Sequence, residues 1–240
     1  MLAVRPATAA NARRTAGNRF VIPPNYAGDL AGRQPETHNA AMPTAPVTIP
    51  PLGDAIARRG NALSRALALL ALRLTGWRIE GEFPNLPQYV IIVAPHTSNW
   101  DFFLGVTVMF AIGFRGTFLS KDSLFRWPTG PVMRWLGGVP VDRVNPHNVV
   151  EQTIDYFRSR PHMLLALSPE GTRRKLAAWR TGFWYVAKGA GVPIVPVAFD
   201  YPAKLVRIFA PMEPGEDIDA DIALLRAHYD ARMAKHPALY

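Results

Sequence analysis

The chain contains no cysteine. That excludes disulfides, thiolate zinc sites and a cysteine nucleophile. Acidic residues are scarce: 18 Asp and Glu face 27 Lys and Arg, leaving a formal net charge of +9. Such an excess favours an anionic partner, whether nucleic acid, an acidic membrane surface or a phosphorylated substrate. Long apolar runs are missing too. The run Ala66–Leu72 falls far short of the ~20 residues that span a bilayer. No Gly-x-Ser-x-Gly occurs, so the serine-hydrolase elbow is excluded. No zinc finger, RNA-binding signature or helix-turn-helix is visible, so nucleic acid rests on charge alone and is not an expected partner.

What is present fits one compact domain with an appendage: 240 residues, 49% of them hydrophobic. Residues 1–50 are rich in Ala, Pro, Asn, Thr and Arg, with few large aliphatics. They are expected to form a disordered N-terminal extension. The stretch is acid-free until Asp29 and resembles a transit peptide without the apolar core of a secretory signal. A translation start at Met42 is the alternative.

The Ala- and Leu-rich stretch "DAIARRGNALSRALALLALRLTGW" (Asp54–Trp77) predicts a basic amphipathic helix over residues 51–76. Leu63, Leu67, Leu70 and Leu74 recur at helical spacing, and Arg58, Arg59, Arg65 and Arg73 interrupt the run. Two readings stand side by side: a helix on a membrane surface, or a helix packing its Leu stripe on the core.

Residues 77–240 then alternate. Strands are predicted at Arg78–Phe83, Tyr89–Ala94, Gly116–Ser120, Met163–Leu167, Val192–Phe199 and Leu205–Phe209. Helices are predicted at Trp100–Ile112, Asn148–Ser159, Gly182–Gly189 and Asp219–Lys235, with a loop from Pro128 to Pro140. The alternation implies an α/β fold, a single domain whose central mixed sheet is flanked by helices. Pro193 and Pro196 mark the fifth of these strands as an edge or as a ligand-lining stretch.

The stretch "PHTSNWD", Pro95–Asp101, follows the apolar run YVIIVA. Pro95 ends the strand, so His96 sits at a strand's carboxyl end, where open α/β sheets place their sites. Ser98 or Asn99 can cap the next helix, whose first turn then holds Asp101. The carboxylate could orient the imidazole and leave its other nitrogen as a base for a substrate hydroxyl. A structural histidine beside a capping aspartate is the plainer reading. A second block, "LSPEGTRRK" (Leu167–Lys175), also follows a buried strand. Arginine forks match phosphate oxygens, so this loop is a candidate phosphate holder. A third block, "GGVPVDR" (Gly137–Arg143), pairs two glycines with a cation.

Taken in order, His96…Asp101, Gly137–Arg143, Glu170-Gly171-Thr172-Arg173 and Val192–Pro196 resemble the glycerolipid acyltransferase family, above all its lysophosphatidate acyltransferases. The resemblance covers roughly residues 77 to 210. It implies a glycerol-3-phosphate acyltransferase-like fold. It implies transfer of a fatty acyl group from an acyl-CoA or acyl-carrier protein thioester to the hydroxyl of a lysophospholipid, by default 1-acylglycerol-3-phosphate. His96 would be the general base and Asp101 its orienting partner. Glu170, Gly171, Thr172 and Arg173, helped by Arg143, would hold the phosphate head group. No cofactor or metal is implied. An anionic membrane surface would be the docking partner, with the protein peripheral on the cytoplasmic face.

The flanks depart from the family at Pro95, Pro140, Ser168 and Arg174-Lys175. They leave the acceptor open between lysophosphatidate and another lyso-lipid, such as a lyso-aminolipid. A thioesterase or lipase, which transfers to water, and a non-catalytic membrane-binding module are the rival readings. Phe125, Trp127 and Trp135 could reach a membrane or fill the core.

Overall fold

The computed structural model describes residues 48–141, 146–173, 175 and 178–240. Most of the expected extension, Arg143 and Arg174 lie outside these residues. The first described helix, α1 (Ala62–Thr75), is shorter than the predicted segment. Its start is fixed by a reciprocal cap: Asn61 Oδ1 accepts the Ser64 N–H and Ser64 Oγ accepts the Asn61 N–H, both at 2.9 Å. Gly76, left-handed at φ 76°, ends it, and the Trp77 N–H reaches back to the Leu72 carbonyl.

Seven strands form one sheet in the order β1-β7-β6-β2-β5-β3-β4. They are β1 (Arg78–Glu80), β2 (Gln88–Ala94), β3 (Gly116–Lys121), β4 (Gly138–Val141), β5 (Met163–Leu167), β6 (Ile194–Asp200) and β7 (Leu205–Ile208). All neighbours run parallel except β6 and β7, so the sheet is mixed as expected. The centre is β2, flanked by β5 and β6, with Val90 opposite Leu165 on one side and Ile194 on the other. Its residues are apolar on both faces because helices cover both faces of a parallel core. The remaining helices are α2 (Trp100–Ile112), α3 (Gly130–Trp135), α4 (Pro146–Ser159), α5 (Gly182–Ala190) and α6 (Ile218–Arg226). Helix α1 packs on α2, and α4 on α5.

Three expectations need correction. The predicted loop over 128–140 contains α3 and β4. Its glycines serve the sheet. Gly137 adopts φ 99°, and a Cβ there would lie 2.2 Å from the Gly116 carbonyl oxygen, so only glycine lets the chain turn against β3. Second, the predicted terminal helix stops at Arg226, and short 3-10 turns continue through residues 231–233 and 237–239. Third, β6 is an interior strand, so of the two readings the edge one falls while the ligand-lining one fits, since Val197 and Phe199 border a cleft. Pro196 is tolerated there because the N–H it lacks would face residue 209, beyond the last residue of β7, where the regular ladder has ended; its carbonyl still accepts the Phe209 N–H.

The direction of the α1 stripe is also decided. Leu63, Leu67, Leu70 and Leu74 are 68, 58, 50 and 77% exposed, whereas Ala68 and Leu72 are buried. The stripe therefore does not pack on the core. Trp127 and Trp135 are exposed as well, and Phe125 is buried.

Candidate active site

His96 leaves β2 directly over the carboxyl end of the sheet. The turn Thr97–Asn99 folds back so that Asp101, in the first turn of α2, lies beneath the imidazole. Nδ1 of His96 is 3.1 Å from Asp101 Oδ2, and the Asp101 side chain is almost wholly buried. The Ser98 N–H donates to the same oxygen at 2.8 Å. The Tyr201 hydroxyl donates to Oδ1 at 2.5 Å. Burial alone would raise the Asp101 carboxyl, but the hydrogen bonds from His96, Tyr201 and Ser98 hold it below the ordinary aspartate value. A carboxylate ionised in this way keeps the Nδ1 proton in place and leaves Nε2 as an acceptor.

Glu170 sits in the turn after β5 and is buried. Both its carboxylate oxygens lie 3.0 Å from the His96 main-chain nitrogen and accept its N–H. Burial, the largest influence, pushes its carboxyl above the ordinary glutamate value. The carboxylate thereby anchors the main chain at His96 from the neighbouring strand's end. Gly171, Thr172 and Arg173 line the adjoining cleft, with Gly171 at φ 62°.

The cleft has a volume of about 1830 Å³. Polar and charged side chains in its lining include His96, Asn99, Thr172, Arg173 and Arg180. Apolar ones include Met109, Phe114, Phe118, Phe183 and Val197. Reasoning from sequence missed two of the residues here. Arg180 packs over Gly171, where a Cβ would come within 2.7 Å of the Arg180 Cδ. A second arginine seven residues past Arg173 was the only signal for it. Tyr201 lies a hundred residues from Asp101 and gave no spacing signal. Among the described residues, no group of three or more His, Asp or Glu side chains converges as a metal site.

A family model described as acyltransferase matches residues 78–200. The 1-acyl-sn-glycerol-3-phosphate acyltransferase of Haemophilus influenzae is 30% identical over 134 residues, covering 52% of this chain and 54% of that protein. The enzyme of the same name from Escherichia coli is 32% identical over 145 residues, covering 56% of this chain and 58% of that one. The matched stretch thus spans little more than half the length of these curated relatives. The crystal structure of the 1-acyl-sn-glycerophosphate acyltransferase from Thermotoga maritima superposes with a TM-score of 0.53 at 17% identity, over 69% of this chain and 75% of that one. At that identity the likeness speaks for the fold alone. The matched residues run from β1 through the end of β6 and contain both His96–Asp101 and Glu170–Arg173: the chain belongs to the acyltransferase family.

Proposed function

We propose that the protein moves a fatty acyl group from an acyl-CoA or acyl-carrier protein thioester to the free hydroxyl of a lysophospholipid, 1-acylglycerol-3-phosphate being the preferred acceptor. The observation that carries this reading is the buried Asp101 bonded to a His96 that lines a mainly apolar cleft together with Arg173 and Arg180. In this scheme Nε2 of His96 takes the acceptor's hydroxyl proton as the oxygen attacks the thioester carbonyl. The tetrahedral intermediate collapses with cleavage of the C–S bond, and the imidazolium returns the proton to the leaving thiolate. No acyl-enzyme, metal or prosthetic group is needed. Arg173 and Arg180 offer planar forks to the acceptor's phosphate. The apolar lining takes an acyl chain.

The leucines of α1 and the side chains of Trp100, Trp127 and Trp135 are exposed, on a chain of net charge +9. That combination suits peripheral docking on an anionic membrane, here placed on the cytoplasmic face. Among the described residues, no helix is long and apolar enough to cross a membrane.

The test is incubation of the purified chain with radiolabelled acyl-CoA or acyl-carrier protein and lysophosphatidate, beside a His96→Ala control. Phosphatidate formed only with the intact histidine supports the reading. Free fatty acid would favour a thioesterase. Absence of product with lysophosphatidate, but acylation of a lyso-aminolipid, would reassign the acceptor.

A further inference from the structure

Asp101 is held by three donors from two places in the chain, the turn after β2 and Tyr201. The Ser98 N–H and the His96 ring share Oδ2, and the Tyr201 hydroxyl alone serves Oδ1. Tyr201 follows the last residue of β6, the strand beside β2. It is fixed there independently of Asp101. Its N–H donates to the Met233 carbonyl at 2.9 Å, and its own carbonyl accepts from the Lys204 N–H at 3.3 Å. The ring meets Trp77 edge-on, with centroids 5.1 Å apart. The Lys235 ammonium lies 5.9 Å from the Tyr201 ring centre and 4.8 Å from that of Trp100. The ring is therefore a rigid mount for its hydroxyl.

We propose that Tyr201 is a positioning residue for the acyl transfer: its hydroxyl fixes the Asp101 carboxylate so that Asp101 holds His96 as the Nδ1–H tautomer. The inference rests on the reading of His96 as general base. A carboxylate free to rotate about its last torsion could swing Oδ2 away from Nδ1. With both oxygens bonded, that rotation breaks at least one charge-assisted hydrogen bond. The hydroxyl also draws off part of the carboxylate's charge, which tempers its pull on a protonated imidazole. The ionisable groups facing this assembly are His96, Glu170 beneath the His96 backbone, and Lys235 across the Tyr201 ring. Burial and the bond to Asp101 both push the Tyr201 hydroxyl above its ordinary value, so it stays a donor.

The test is Tyr201→Phe in the full chain, which keeps the ring contacts and removes one oxygen. The first readout needs no substrate: ring 15N chemical shifts of selectively labelled His96 report which nitrogen carries the proton. The wild type should show the Nδ1–H form, and the variant a mixture, as should Asp101→Asn. The second readout is kinetic. In the variant, kcat should fall on the order of tenfold, the scale of one hydrogen bond to a charged group, with KM unchanged for both substrates. The acidic limb of its pH–kcat profile should move to higher pH. Adding Tyr201→Phe to Asp101→Asn should cost nothing further. An unchanged tautomer ratio in a folded Tyr201→Phe would overturn the proposal, as would additive losses in the double variant. If the wild type transfers no acyl group at all, the functional reading fails, while the tautomer measurement still decides the role of Tyr201.

Discussion

His96 and Asp101 carry predictions that are read out at single side chains. His96→Ala should lower kcat by roughly 10²–10⁴, the range of a positioned general base, in a steady-state acyl-transfer assay on protein shown to be folded by circular dichroism. Asp101 makes a pH prediction. Its folded-state carboxyl is held below the ordinary value by its donors, against the effect of burial. Its contribution to stability is therefore complete above the unfolded-state value and is lost as pH falls through the lowered folded value. Asp101→Asn should cost about 1–3 kcal/mol at neutral pH. That gap should close toward acidic pH in a series of denaturant titrations. A gap that stays constant with pH would rule out this linkage. The pair was legible because five residues across a strand–turn–helix put both side chains on one turn. The Glu170 contact was not, since nothing in a motif says whether a carboxylate faces a ligand or the backbone of residue 96.

Among the elements, α1 separates pattern from direction. Its stripe could be read from the leucine spacing, whereas its reciprocal cap came only with the structure. Which face points inward depends on α2, which packs on the Ala68–Leu72 side. Because the stripe is exposed, replacing Leu67 and Leu74 by glutamate should leave the melting temperature unchanged. On the proposed reading, it should weaken binding to anionic vesicles by roughly tenfold or more, since each buried leucine contributes about 1.5–3 kcal/mol. Vesicle sedimentation with the double variant would show it; undiminished binding would move the docking face elsewhere. The 128–140 stretch shows the opposite failure. Its Gly and Pro content suggested a loop, yet α3 and the edge strand β4 form there, because Gly137 admits the backbone contact with β3.

Across the whole molecule, the cleft is the feature no single element owns. Gly105 of α2 lines it, and a Cβ there would meet only Phe199 Cζ, at 3.8 Å. Gly105→Leu should therefore fit, gain about 0.5–1 kcal/mol of helix propensity, and fill space assigned to the acyl chain. The expected result is a shift on the order of tenfold in relative kcat/KM toward shorter acyl donors, measured by competition between donors of different length. The order of residues alone dictates the alternation of strands and helices, the strand-end placement of His96 and Glu170, and the absence of thiol chemistry. These follow from local periodicity, turn residues and composition, which need no distant partner. It took the folded chain to place β6 inside the sheet despite Pro196 and to turn the α1 leucines outward. The fold alone set Glu170 on the His96 backbone and brought Tyr201 across a hundred residues to Asp101. Such contacts arise from strand order and helix packing, which bring together residues whose separation along the chain carries no signal.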